Sequence, residues 1–166
     1  MTASFDVKLQ PQDLYRFNMY QTYTSLQGIV SIVLGILGFV MSGTSFKNGS
    51  MAYGCLYIAV GFLFLLYIPV ALWVRAKTTL KTNPVLSNVL HYEVSEKQIH
   101  VSQGKETGDL DWDWVYKIIA DKNQILIYTS RKNAYIIPRE QIGEQYEVFQ
   151  KIAQSRLEKY KLKMKA

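Results

Sequence analysis

The chain reads as an α+β membrane protein, a two-helix transmembrane hairpin followed by a small antiparallel sheet and one C-terminal helix. Three observations predict this. Gly28–Phe46 and Met51–Val74 are apolar runs without a carboxylate, separated only by Lys47-Asn48-Gly49-Ser50. From Val89 to Ile137 the pattern becomes short alternating stretches with turn residues between them. After Pro138, apolar residues return at helical spacing.

The N-terminal region, residues 1–27, begins with Ser4-Phe5-Asp6-Val7-Lys8-Leu9, an apolar/polar alternation that predicts a strand. Pro11 suits the first turn of a helix, with Asp13 favourable near its positive end, and Leu14, Phe17 and Tyr20 continue the helical spacing. No apolar h-region precedes residue 28, so no cleaved signal peptide is expected.

The hairpin occupies residues 28–74. At 1.5 Å per residue its runs span about 28 and about 36 Å, against a hydrocarbon core of about 30 Å. Lys47 is the one basic residue of the connection, whereas Arg75, Lys77 and Lys81 cluster after the second run, and Lys8 and Arg16 precede the first. The positive-inside rule then places both termini in the cytoplasm. Tyr20, Tyr23 and Trp73 stand where interfacial aromatic anchors are expected. Gly28, Gly35 and Ser42 recur every seven residues, as do Ser31 and Gly38, and Gly54 and Gly61. Small residues at this spacing let helices approach closely, so Gly28, Gly35, Ser42, Gly54 and Gly61 form a candidate packing face. That face serves either the hairpin itself or a homo-oligomer. Pro69 is expected to kink or loosen the second helix. Neither run holds an ionisable residue, which argues against a proton relay, an ion pathway or an intramembrane catalytic site.

The rest of the chain, residues 85–166, reads as a cytoplasmic domain. Val89–Val94, Ile99–Ser102, Leu110–Ala120, Ile125–Thr129 and Ala134–Ile137 are five predicted strands, joined by turns at Ser95–Gln98, Gln103–Gly108, Asp121–Gln124 and Ser130–Asn133. A final helix is expected to carry Tyr146, Phe149, Ile152 or Ala153, Leu157, Tyr160 and Met164 on one face. Lys151, Arg156, Lys159, Lys161, Lys163 and Lys165 would occupy the other.

The whole chain carries a net charge of +6, of which +5 falls from Arg75 onward. Beside a membrane this points to anionic headgroups before nucleic acid, and no nucleic-acid-binding motif is visible. Candidate headgroup contacts are Arg75, Lys77, Lys81, Arg131, Lys132 and Arg139. Asp109, Asp111 and Asp113 form a D-x-D-x-D run, but position six is Trp114 and position twelve Ala120, so the calcium-loop pattern fails. Strand alternation predicts these carboxylates on one face and Leu110, Trp112 and Trp114 on the other. His91 and His100 lack a third metal ligand, and Cys55, the single cysteine, falls in the second apolar run as a packing residue. No G-x-S-x-G elbow and no phosphate-cradling glycine loop occurs. No catalytic residue, metal or cofactor is therefore expected.

Trp112-Asp113-Trp114-Val115-Tyr116-Lys117-Ile118 and Ala134-Tyr135-Ile136-Ile137-Pro138-Arg139, set after a membrane hairpin and before one helix, resemble the YcxB-like family, whose tail is a bacterial PH-like domain. The resemblance implies a small bacterial inner-membrane protein without established catalytic residues. It implies a curved PH-like sheet closed at one end by the C-terminal helix, with the strand around Phe5–Leu9 supplying the missing edge. The expected function is a non-enzymatic, membrane-anchored binding or regulatory module that receives a protein partner or lipid. The alternative is an oligomeric membrane protein with an immunity or stress role acting through the hairpin.

Overall fold

The computed structural model describes residues 1–164, so Lys165 and the last position of the C-terminal domain lie outside the described residues. The chain divides into two units, 15–78 and a second made of 1–14 with 79–166.

In the first unit the apolar runs are helices. A helix α1 (Pro11–Tyr23) leads in, with Pro11 in its first turn and Asp13 accepting from the Gln10 N–H at 2.9 Å. The helix α2 (Leu26–Lys47) starts two residues before the apolar run, because Ser25 caps it by accepting from the Gly28 N–H at 3.3 Å. Gly49 at φ +75° turns the chain into α3 (Met51–Thr82). That helix continues through Pro69, which leaves the Leu65 carbonyl without its helical donor but does not end the helix. Both helices are long and apolar enough to cross a membrane, and most of their apolar surface is exposed.

In the second unit, β1 (Thr2–Val7) pairs antiparallel with β2 (Leu90–Ser95), and buries Ala3, Phe5 and Val7 in strict alternation. Phe5 stacks on Tyr92 across the pair at 5.6 Å, a cross-strand aromatic contact that helps fix the register. β3 (Gln98–Gln103) and β4 (Glu106–Asp111) complete a sheet in the order β1-β2-β3-β4. The loop expected over Gln103–Gly108 shrinks to a two-residue turn at Gly104-Lys105. Gly104 at φ +61° supplies the positive φ of a primed hairpin turn.

A second sheet runs β7-β6-β5-β8, formed by β5 (Lys117–Ala120), β6 (Gln124–Tyr128), β7 (Ala134–Pro138) and β8 (Leu162–Met164). The predicted turn residues act directly. Asp121 Oδ1 accepts from the Asn123 and Gln124 N–H groups, and Ser130 Oγ from Lys132 and Asn133.

Three expectations are corrected. Leu110–Ala120 is not one strand. β4 stops at Asp111, Trp112–Trp114 forms a 3-10 turn, and β5 starts at Lys117, because here the chain crosses from one sheet to the other. Trp112 is buried with its indole N–H donating to the Ser95 carbonyl at 2.9 Å, while Trp114 points outward, so alternation does not hold across the turn. The C-terminal helix does not reach Met164. A short helix α4 (Pro84–Ser87) precedes β2, α5 (Arg139–Ile142) follows β7, and the C-terminal helix α6 (Gln145–Arg156) ends where Leu157 turns extended. Beyond it, Lys159-Tyr160-Lys161-Leu162-Lys163-Met164 alternates with period two and forms a 3-10 turn and then β8, parallel to β5. The meander is thus two sheets with one parallel pair.

Of the helices in this unit, α5 and α6 make the broad contacts with the sheets. α5 and α6 pack on β1, α6 also on β2, and α5 on β6 and β7. The Gln141 side chain accepts from the Lys8 N–H at 2.7 Å and donates to its carbonyl at 2.9 Å, fastening the end of β1. Tyr146, Phe149, Ile152 and Ala153 are buried as the apolar stripe predicts, whereas Tyr160 is exposed. The sheet is not closed on the side of β4.

Candidate functional site

On that open side lies a cleft of about 340 Å³. Leu90 and Tyr92 of β2, Val101 of β3 and Ile136 of β7 form its apolar floor, and Leu9 and Leu86 its wall. Tyr92 is almost fully buried, and desolvation raises its phenol well above the ordinary range. Tyr135 meets Tyr92 edge-on at 6.3 Å. The Gln103 amide donates to the Val85 carbonyl at 2.9 Å, holding α4 at the rim. Glu106, Thr107 and Gly108 of β4 form the opposite lip. Five of the six residues of β4 are exposed, and a Cβ at Gly108 would meet nothing within 4 Å. β4 is one of the two edges of its sheet, β1 being the other, and no strand pairs with its outer backbone groups.

The titratable groups of this sheet stand on its other face. Register places Ser4, Glu93, His100 and Asp109 in one row and Asp6 with His91 in the next. His100 Nδ1 meets Asp109 at 2.5 Å, and the same carboxylate accepts from Gln98 at 2.8 Å. His91 Nδ1 meets Asp6 at 2.6 Å, while its Nε2 faces Ser4 Oγ at 3.2 Å and Glu93 at 3.4 Å. The Ser4–His91–Asp6 connectivity is that of a hydrolase triad, with Asp6 on Nδ1 and Ser4 on Nε2. The hydrogen bond to Asp6 is the main cause that raises the His91 pKa, with Glu93 adding to it. Glu93 shares Nε2 with Ser4 Oγ, and the group lies on an exposed strand face outside the cleft. Among the described residues no cluster of three or more His, Cys, Asp or Glu could hold a metal ion.

The sequence-predicted sites are dispersed. Arg131 and Lys132 sit at the β6–β7 turn and Arg139 at the far end of β7, about 16 Å away at strand rise. The Arg139 guanidinium lies 3.0 Å from the Tyr146 ring centroid, committed to a cation–π contact. Lys77 lies 4.9 Å from the Trp73 ring. Arg75, two residues earlier on α3, points about 200° away from it. Lys81 is exposed near the end of α3. The small-residue face converges better. Gly35 abuts Leu65, Gly38 abuts Gly61 and the Tyr57 carbonyl, Gly54 meets Phe46, and Gly61 meets Phe39 and the Gly35 carbonyl. Ser42 is buried along α2 with them. Gly28 faces the Thr22 carbonyl at the α1–α2 corner instead of α3. The cleft itself had no motif. Its one sequence signal was the polar, glycine-bearing stretch Glu106–Asp111, continuous with the polar Ser102–Lys105 before it, which is ordinary loop composition.

Residues 94–153 match the model of the YcxB-like protein family. That segment of the C-terminal domain is YcxB-like. The match runs from β2 through most of α6 and includes β4, hence the lip of the cleft, and covers less than half of the chain. No curated protein and no solved structure matches the chain.

Proposed function

We propose that this chain is a non-enzymatic binding module anchored in a bacterial cell membrane, with both termini and a PH-like YcxB-like domain in the cytoplasm. The observation that carries this reading is the apolar cleft beside the bare β4 edge. It combines an apolar floor with unpaired backbone donors and acceptors, the two components of strand-addition recognition. The histidine–carboxylate pairs stand on the opposite face, so the cleft favours capture over acid–base chemistry. The cation cluster at Arg75, Lys77 and Lys81 supports the cytoplasmic orientation. The oligomer alternative draws less support, because Gly35, Gly38 and Gly61 are used within the hairpin.

The test is a photo-crosslinking amino acid at Glu106, on the cleft face of β4, in the full-length protein irradiated in native membranes. A discrete protein adduct is expected at Glu106 and none at Lys151 on the exposed side of α6. Adducts confined to hairpin positions such as Ile36 would replace the cleft with the oligomer reading. Orientation is tested by Asn48→Cys, which should react with a membrane-impermeant thiol reagent outside intact cells.

A further inference from the structure

We infer that a second surface of the domain, the corner where β5 and β8 begin, docks on the surface of an anionic lipid bilayer. β5 and β8 are parallel, with Ile118 opposite Leu162, so the two 3-10 turns that feed them, Trp112–Trp114 and Lys159–Lys161, lie at the same end of the sheet. This corner concentrates exposed aromatic side chains. Trp114 is 74% exposed, Tyr160 72% and Tyr116 47%. Trp and Tyr with one apolar body and one polar tip are the side chains that settle at headgroup level. The same corner is basic, with Lys117, Lys159, Lys161 and Lys163 set against Asp113 and Glu158. Lys117 Nζ stands 4.6 Å from the Tyr128 ring and 5.9 Å from that of Tyr116, so this cation is already laid on aromatic surface.

The occupant follows from charge and place. The cavity of about 340 Å³ beside this corner is lined by Gln154, Leu157, Lys159, Leu162 and Met164, one cation among mainly apolar side chains, so it does not converge charge on a discrete anion. The spread of lysines and aromatic rings instead matches a plane of negative charge. The α2–α3 hairpin, long and apolar enough to cross a bilayer, would keep such a plane at high effective concentration. The candidate headgroup residues read from sequence are not these, since Arg131, Lys132 and Arg139 sit apart. The surface goes beyond the cleft and is independent of it.

The test uses the full chain in a Cys55→Ser background, spin-labelled through Tyr160→Cys, in nanodiscs of phosphatidylcholine with or without phosphatidylglycerol. Docking predicts that relaxation by a water-soluble nickel complex falls several-fold on adding the anionic lipid, while a label placed through Lys105→Cys is unchanged. Each lysine near an anionic surface raises the docked population roughly fivefold. Lys161→Gln with Lys163→Gln should therefore reduce it by more than about tenfold, and high salt should do the same without any mutation. Equal water access in both discs overturns the inference. Equal protection in both also overturns it and assigns the corner to a protein contact. Crosslinking at Glu106 is unaffected by either result, so the two proposals fail separately.

Discussion

β6 and β4 belong to the same small domain and are built oppositely. All five residues of β6 are buried, whereas five of the six residues of β4 are exposed. β6 lies between two strands, and its sequence Gln124-Ile125-Leu126-Ile127-Tyr128 is nearly continuous apolar surface. β4, Glu106-Thr107-Gly108-Asp109-Leu110-Asp111, is an edge with three carboxylates. The contrast teaches that stability and recognition are carried by different strands. β6 holds the core, and β4 is left uncovered beside an apolar cleft.

The largest effect expected from this contrast is at Ile127, which is fully buried. Ile127→Ala should destabilise the domain by about 2–5 kcal/mol. Gly108→Ala, whose new methyl meets nothing within 4 Å, should stay within about 0.5 kcal/mol. Chemical denaturation of the detergent-solubilised protein, followed by tryptophan fluorescence, checks both, and equal effects would end the distinction. In the hairpin, Gly38→Leu drives a side chain toward backbone 3.0 Å away. It should cost at least about 1–3 kcal/mol, read as weakened protection of α2 amides from exchange. Trp112→Phe removes the donor to the Ser95 carbonyl at the point where the chain changes sheets. A loss of about 1–3 kcal/mol is expected, with the effect falling on the junction of β4 and β5.

The smallest effect is the pH dependence of His91. Asp6, and then Glu93, raise its folded pKa above the ordinary imidazole value of about 6.5. The stabilisation is therefore complete below that value and disappears as pH rises through the folded pKa. The pair is exposed, so solvent screening holds the contribution below about 1 kcal/mol. An NMR titration should show the His91 midpoint falling in Asp6→Asn. An unchanged midpoint would remove the pair from the account.

Much of the architecture was legible in local patterns. The alternation Ser4–Leu9 marked β1, the carboxylate-free runs marked α2 and α3, and Asp121 and Ser130 marked turns through side chains that bond nearby backbone. Two segments misled. Trp112-Asp113-Trp114 alternates like a strand, yet the chain must change sheets there, and no local pattern encodes a change of sheet. Lys159–Met164 has apolar residues that fit a helix stripe continued from Tyr146, and also fit period two. Leu157 going extended selects the second. Both corrections fall at the start of β5 and β8, so the aromatic–basic corner became visible only once they were made.

By itself, the sequence determined the class of each region, because a long carboxylate-free apolar run and the periodicity of burial on one face of a strand or helix are both displayed within a single segment. Only the tertiary structure decided which strand is central and which is bare, and which strands the helices pack on. It also brought residues 112–117 and 159–163 to one end of a sheet. Those outcomes depend on pairing between segments far apart in the chain, and no periodicity within one segment records its partner.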